Sequence, residues 1–180
     1  ADWIVARDGV TSAGVPSGGP TPSNPNNWVL NNINASAGNG LSAGVGMSSN
    51  GRMLITSQLR DPVTLANSTS TNNTAFFTGF QNSLAETARR SDAAPGTTLA
   101  NYNTALNVSP INNQVNPSGQ VFFSSALVSA GAGTDVVTSG TTQNDSACFV
   151  EGPSGNSLVA RRGDSPAFLS GAAFGAFTTN

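Results

Sequence analysis

Few side chains in this chain offer chemistry, and the usual reagents are scarce. There is no histidine, so the common general base is absent and imidazole-dependent nucleophile triads are excluded. Cys148 is the only cysteine, which rules out an internal disulfide. Its apolar neighbours Ala147, Phe149 and Val150 point to a small buried side chain rather than an intermolecular bridge. The nine Asp and Glu residues are scattered, with no Gly-x-Ser-x-Gly elbow and no phosphate-cradling glycine loop. Zinc lacks a donor set. Calcium is the one credible metal: Asp135, Asn144 and Asp145 bracket one loop, and Asp61, Asn72 and Asn73 bracket another. No dense Asp-x-Asp-x-Asp spacing accompanies them, and turn formation is the commoner use of such residues. The expectation is a non-enzyme without a cofactor, calcium excepted.

Other groups suit recognition better than reaction. Asn34, Asn67, Asn72, Asn107 and Asn144 are Asn-x-Ser/Thr acceptors for glycosylation. Arg162-Gly163-Asp164 spells the tripeptide that integrins bind, but it falls inside a repeated turn. Trp3, Trp28 and Tyr102 offer stacking surfaces for sugars, although such rings more often pack in cores.

Composition narrows the partners. The 180 residues and 18.1 kDa suffice for one domain or two small ones. Only 9% of residues are charged, against roughly 25% in ordinary soluble domains. All seven cations are Arg and the net charge is −2, which offers nucleic acid no basic patch. No apolar run approaches a membrane span. A surface rich in amides and hydroxyls lacks the charge repulsion that keeps proteins apart. That favours an exposed, assembled protein, extracellular or at the cell surface. The opening Ala1-Asp2-Trp3 reads as the start of a secreted protein after cleavage.

These groups must be positioned by short strands. Arg52–Leu59, Ala75–Phe80, Leu99–Val108, Gln120–Ser129 and Ser146–Glu151 are β-favouring runs between Gly, Pro, Asn and Asp turns. Asn50-Gly51 suits a two-residue hairpin turn. Val15–Pro25 is a Pro-rich arm that fits neither helix nor inner strand. An Ala-Arg stretch with a polar turn recurs at Trp3–Gly9, Leu84–Asp92 and Ser157–Asp164. Gly51 and Gly119 are 68 positions apart; Ala75 and Ala147, like Ala88 and Ala160, are 72 apart. Spacing near 70, with about four strands per unit, predicts an all-β protein of antiparallel, propeller-blade-like repeats without substantial helix. The expected units are 1–82, 83–156 and a partial third over 157–180.

Asn116-Pro117-Ser118-Gly119-Gln120-Val121-Phe122-Phe123 resembles the Asn-x-x-Gly-x-x-Ala-Phe core of bacterial secreted "choice-of-anchor" tandem-repeat proteins, with Phe122 in place of Ala. Asn144–Phe149, Leu158–Pro166 and Phe174–Phe177 extend the likeness over most of the chain after Gly46. In the first copy Ser48 stands for Asn, and Leu54-Ile55 for Ala-Phe. The resemblance implies an extracellular, propeller-like β protein without established catalysis. Two and a half units fall short of the roughly four that close a propeller. The unfinished third unit therefore predicts an assembly edge at Leu158, Val159, Phe168, Leu169, Phe174 and Phe177, matched by Trp3, Ile4 and Val5. A second copy, joined head-to-tail by strand addition, would give a fibre or a ring. The alternative is a glycan-binding or adhesion module acting as a monomer or closed ring.

Overall fold

A computed structural model describes residues 29–33, 45–60, 74–80, 85–107, 115–152, 154–168 and 171–177. The Pro-rich arm, Trp3, Ile4, Val5, Trp28, Asn34, Asp61, Asn67, Asn72, Asn73 and Leu169 lie outside them. The described residues are all-β and antiparallel, with no helix. The first sheet contains β1 (Val29–Ile33), β2 (Val45–Met47), β3 (Met53–Arg60), β4 (Thr74–Gly79) and β5 (Ala85–Arg89). Its order is β1-β3-β4-β5, with β2 also paired to β3. The second sheet is a meander of β6 (Ala100–Asn107), β7 (Phe122–Ser129), β8 (Ser146–Gly152) and β9 (Gly155–Arg161).

Side-chain alternation sets the faces. Along β7, Phe123, Ser125 and Leu127 are buried while Phe122 and Val128 are exposed, the period of two that a one-sided strand requires. The buried side of β7 meets the first sheet. Leu54, Phe76 and Ala88 from the first sheet pack with Tyr102, Val121, Phe123, Leu127 and Phe149 from the second. Phe76 meets Phe123 edge-on at 5.4 Å, and Tyr102 meets Phe149 edge-on at 5.1 Å. Burying each such ring stabilises the fold by about 2 kcal/mol, so the aromatic cluster holds the two sheets together.

The two sheets share one plan. Leu54 pairs with Thr78 and Ile55 with Phe77; Phe122 pairs with Val150 and Phe123 with Phe149. Ala75 faces Arg89 and Ala147 faces Arg161, and a bulge follows Phe76 and Cys148 alike. The turns agree as well. Gly51 N–H donates to Ser48 O at 3.0 Å and Gly119 N–H to Asn116 O at 2.8 Å, and both glycines have φ of 82°. Each turn is thus an i→i+3 turn closed by a left-handed glycine, not the two-residue turn that Asn50-Gly51 suggests. The longer loop lets Ser48 or Asn116 accept a hydrogen bond from the backbone of Arg52 or Gln120 with its side chain.

Strand β5 closes the first sheet and β9, which begins at Gly155, closes the second. The Ala-Arg stretch ends a unit because its turn hands the chain to the next one. Ser91 N–H donates to Tyr102 O at 2.9 Å and Tyr102 N–H to Asp92 O at 3.0 Å. Gly163 N–H and Phe174 O, then Phe174 N–H and Asp164 O, repeat that exchange at 2.9 Å each. Residues 171–177 therefore stand to β9 as the start of β6 stands to β5.

Candidate functional site

The outer face of the second sheet is the first candidate. Leu54 on the first sheet is 1% exposed beneath the second sheet. Its counterpart Phe122 occupies the same register position and is 42% exposed. Val128 and Val159 are exposed on the same outer side, and Phe168 protrudes from the turn after β9. Of the expected assembly residues, Val159 and Phe168 are exposed and Phe174 and Phe177 are half-buried against each other, ring centres 5.9 Å apart. Leu158 is spent elsewhere: it packs against the inter-sheet core.

The polar loop around Asp135 has its ligands committed. Arg161 grips both Asp135 carboxylate oxygens, at 2.7 and 3.2 Å, which holds the Asp135 pKa below the usual carboxylate range. Arg162 pairs with Asp145 at 2.9 Å. Asn144 accepts from Val137 N–H at 2.6 Å and donates to Asp135 O at 2.7 Å. Asp135, Asn144 and Asp145 are thus knitted to guanidiniums and backbone, and no group of three acidic, His or Cys side chains suited to a metal occurs among the described residues. The Asn144 amide, a glycosylation candidate, is occupied by its backbone bond. Asn107 lies in β6. Within Arg162-Gly163-Asp164, the Arg is paired and Asp164 accepts from Arg161 N–H at 3.2 Å, so the tripeptide is a turn. Arg89 and Asp92 pin the equivalent turn by side-chain pairing. Tyr102, a candidate sugar platform, is instead 2% exposed in the aromatic core. Cys148 is free and buried, and burial pushes its thiol up to about 11. Its thiolate is therefore scarce near neutral pH.

Sequence reasoning missed a second site between the sheets. A cleft of about 540 Å³ is lined by Arg52, Glu86, Ser118, Gln120, Glu151 and Asn156, among others. Arg52, beside the first hairpin turn, reaches across to the second sheet. Its Nη1 donates to Gly119 O at 2.6 Å, and its Nη2 donates to Thr78 Oγ1 at 2.8 Å and Glu151 Oε1 at 2.5 Å. Thr78 donates in turn to the same Glu151 oxygen at 2.7 Å. Asn156, the cross-strand partner of Glu151, donates from Nδ2 to Thr87 O at 2.6 Å and to the Tyr102 hydroxyl at 3.3 Å. Glu151 Oε2, Asn156 Oδ1 and Glu86 Oε2 are buried without a hydrogen-bond partner among the described residues. Burial, opposed by Arg89 and reinforced by Asp92, raises the Glu86 pKa to about 7.

The signal for this site was present as a break in the repeat. Arg52 stands where the second sheet has Gln120, and Glu151 stands where the first has Gly79. No helix among the described residues is long and apolar enough to cross a membrane. Comparison with protein-family models, with curated proteins and with solved structures gave no match in any of the three.

Proposed function

We propose that the chain is an extracellular structural protein that associates head-to-tail with its own copies, each unit being a propeller-like blade. The register shared by the two sheets supports the blade reading, and with it the likeness to secreted tandem-repeat proteins. One observation carries the assembly: the position buried as Leu54 between the sheets is open as Phe122 on the outer face. An apolar sheet face built to receive another sheet, beside a strand segment ready to pair, suits strand addition. A neighbouring chain's Trp3-Ile4-Val5 run, which repeats the apolar stretch before Ala-Arg, is the proposed complement. Because the two joined surfaces differ, the contact propagates into a fibre or closes into a ring.

Sedimentation velocity over a hundredfold concentration range, with negative-stain microscopy, tests the proposal. The expected outcome is oligomers or filaments that Phe122→Asp reduces to monomers. A monomer at every concentration, or assembly indifferent to Phe122→Asp in a folded variant, overturns it.

A further inference from the structure

We propose that the cleft between the two sheets binds a neutral, hydroxyl-rich ligand of monosaccharide to disaccharide size, with Glu151 and Asn156 accepting its hydroxyls. This site is independent of the assembly face, which lies on the opposite side of the second sheet.

Buried polar atoms are nearly always partnered, so unpartnered ones call for a reason. Three buried side-chain oxygens lack partners among the described residues, and all three belong to residues lining this one cleft. Glu151 is only 9% exposed, yet one of its carboxylate oxygens is left unpaired while the other is held by Arg52 and Thr78. Leaving such an oxygen dry and unpaired costs about 1–3 kcal/mol, more for a charged group. The repeat does not require that cost. The equivalent positions in the other sheet are Gly79 for Glu151 and Gln120 for Arg52, neither able to form the ion pair, so the pair is not part of the shared plan.

The chemistry of the lining selects the ligand. The unpartnered Glu151 and Asn156 oxygens are acceptors, so the occupant must donate hydrogen bonds. Arg52, Gln120 and Ser118 place donors around the same space, so the occupant must also accept. The Glu151 charge is already matched by Arg52, so the occupant need carry none. A guanidinium beside the carboxylate opposes a metal cation. The cleft volume of about 540 Å³ lies within the range for small-molecule sites and greatly exceeds one ion. Neutral sugars meet all four demands. Among the described residues no aromatic ring lines the cleft, so binding rests on hydrogen bonds, with dissociation constants expected in the millimolar range.

The test uses the full chain and a panel of glucose, galactose, mannose, N-acetylglucosamine and their common disaccharides, each to about 100 mM. Saturation-transfer NMR and thermal shift report binding. The expected result is saturable binding of at least one sugar, weakened tenfold or more by Glu151→Gln. That change keeps an oxygen for Arg52 and replaces the unpaired oxygen with a donor. Ser118→Trp, at an exposed turn position on the rim, gives a second variant should the first unfold; it is expected to abolish binding by filling the entrance. Lack of saturable binding across the panel overturns the proposal, as does binding that Ser118→Trp leaves intact. Stabilisation by calcium alone, lost in Glu151→Gln, also overturns it in favour of a cation site.

Discussion

Glu86 is a carboxylate whose protonation the fold strongly disturbs. Its carboxyl sits 3.8 Å from Arg89 Nε and near Asp92, in a partly buried position. Burial raises its pKa to about 7 from an ordinary 4.5, so the folded chain binds this proton more tightly than the unfolded chain. The linked stability is complete below about pH 4.5 and is lost as pH rises through about 7. Solvent still reaches the group, so the effect is discounted to about 1 kcal/mol. Glu86→Gln is expected to raise the chemical-denaturation midpoint at pH 8 and leave it little changed at pH 4.5. An equal effect at both pH values would contradict the assignment. Burial rather than a neighbouring charge is the main cause, so the Glu86 slope should persist when ionic strength is raised.

At the scale of elements, the turns between strands decide where the sheets meet. Gly96, between β5 and β6, has φ of +72°, and an added Cβ would lie 2.8 Å from Leu158 Cβ. Gly51 has φ of +82° but open space around it. Gly51→Ala should therefore cost only the left-handed backbone penalty, about 1–2 kcal/mol. Gly96→Ala adds a collision across the sheet interface and should cost about 2–4 kcal/mol in all. Thermal melts of both variants check this, and Leu158→Gly, which removes the colliding Cβ, should recover part of the Gly96→Ala loss but none of the Gly51→Ala loss. Equal destabilisation by the two glycine changes would show that Leu158 yields freely.

The same elements show what sequence pattern can carry. Strands such as Gln120–Ser129 and Ser146–Glu151 were legible because alternating or continuous apolar residues lie between turn residues. The repeat offsets were legible because Gly51 and Gly119 mark equivalent left-handed turns. The grouping of strands was not, because periodicity locates a strand without naming its hydrogen-bonded neighbour. The cleft was hidden for a related reason. Arg52 and Glu151 meet only when one sheet stacks on the other, and neither carries a local motif. Asp135, Asn144 and Asp145 suggested a metal because sequence shows ligands but not the guanidiniums of Arg161 and Arg162 folded onto them.

At the scale of the whole molecule, the proposed joints are apolar in a chain with few charges. Association through Phe122, Val128 and Val159 should therefore resist salt. Sedimentation at 0.05 and 1 M sodium chloride is expected to give assemblies of equal or greater size at high salt. Dissolution by salt would point to ionic joints instead.

The ion pair between the sheets has a consequence for which surfaces can be confused. On the first sheet, the groove that receives Glu151 presents Arg52 and Thr78. On the outer face of the second sheet, Val150 stands in the place of Thr78, and Gln120, the counterpart of Arg52, lines the inter-sheet cleft instead. A stray copy's second sheet, laid there in the internal geometry, would bury its Glu151 carboxylate without a guanidinium, at a cost of several kcal/mol. The carboxylate thus works as a key cut for one lock. It rejects exchange between internal and external joints, so each chain should keep its own two sheets together while its outer face stays available for a different surface.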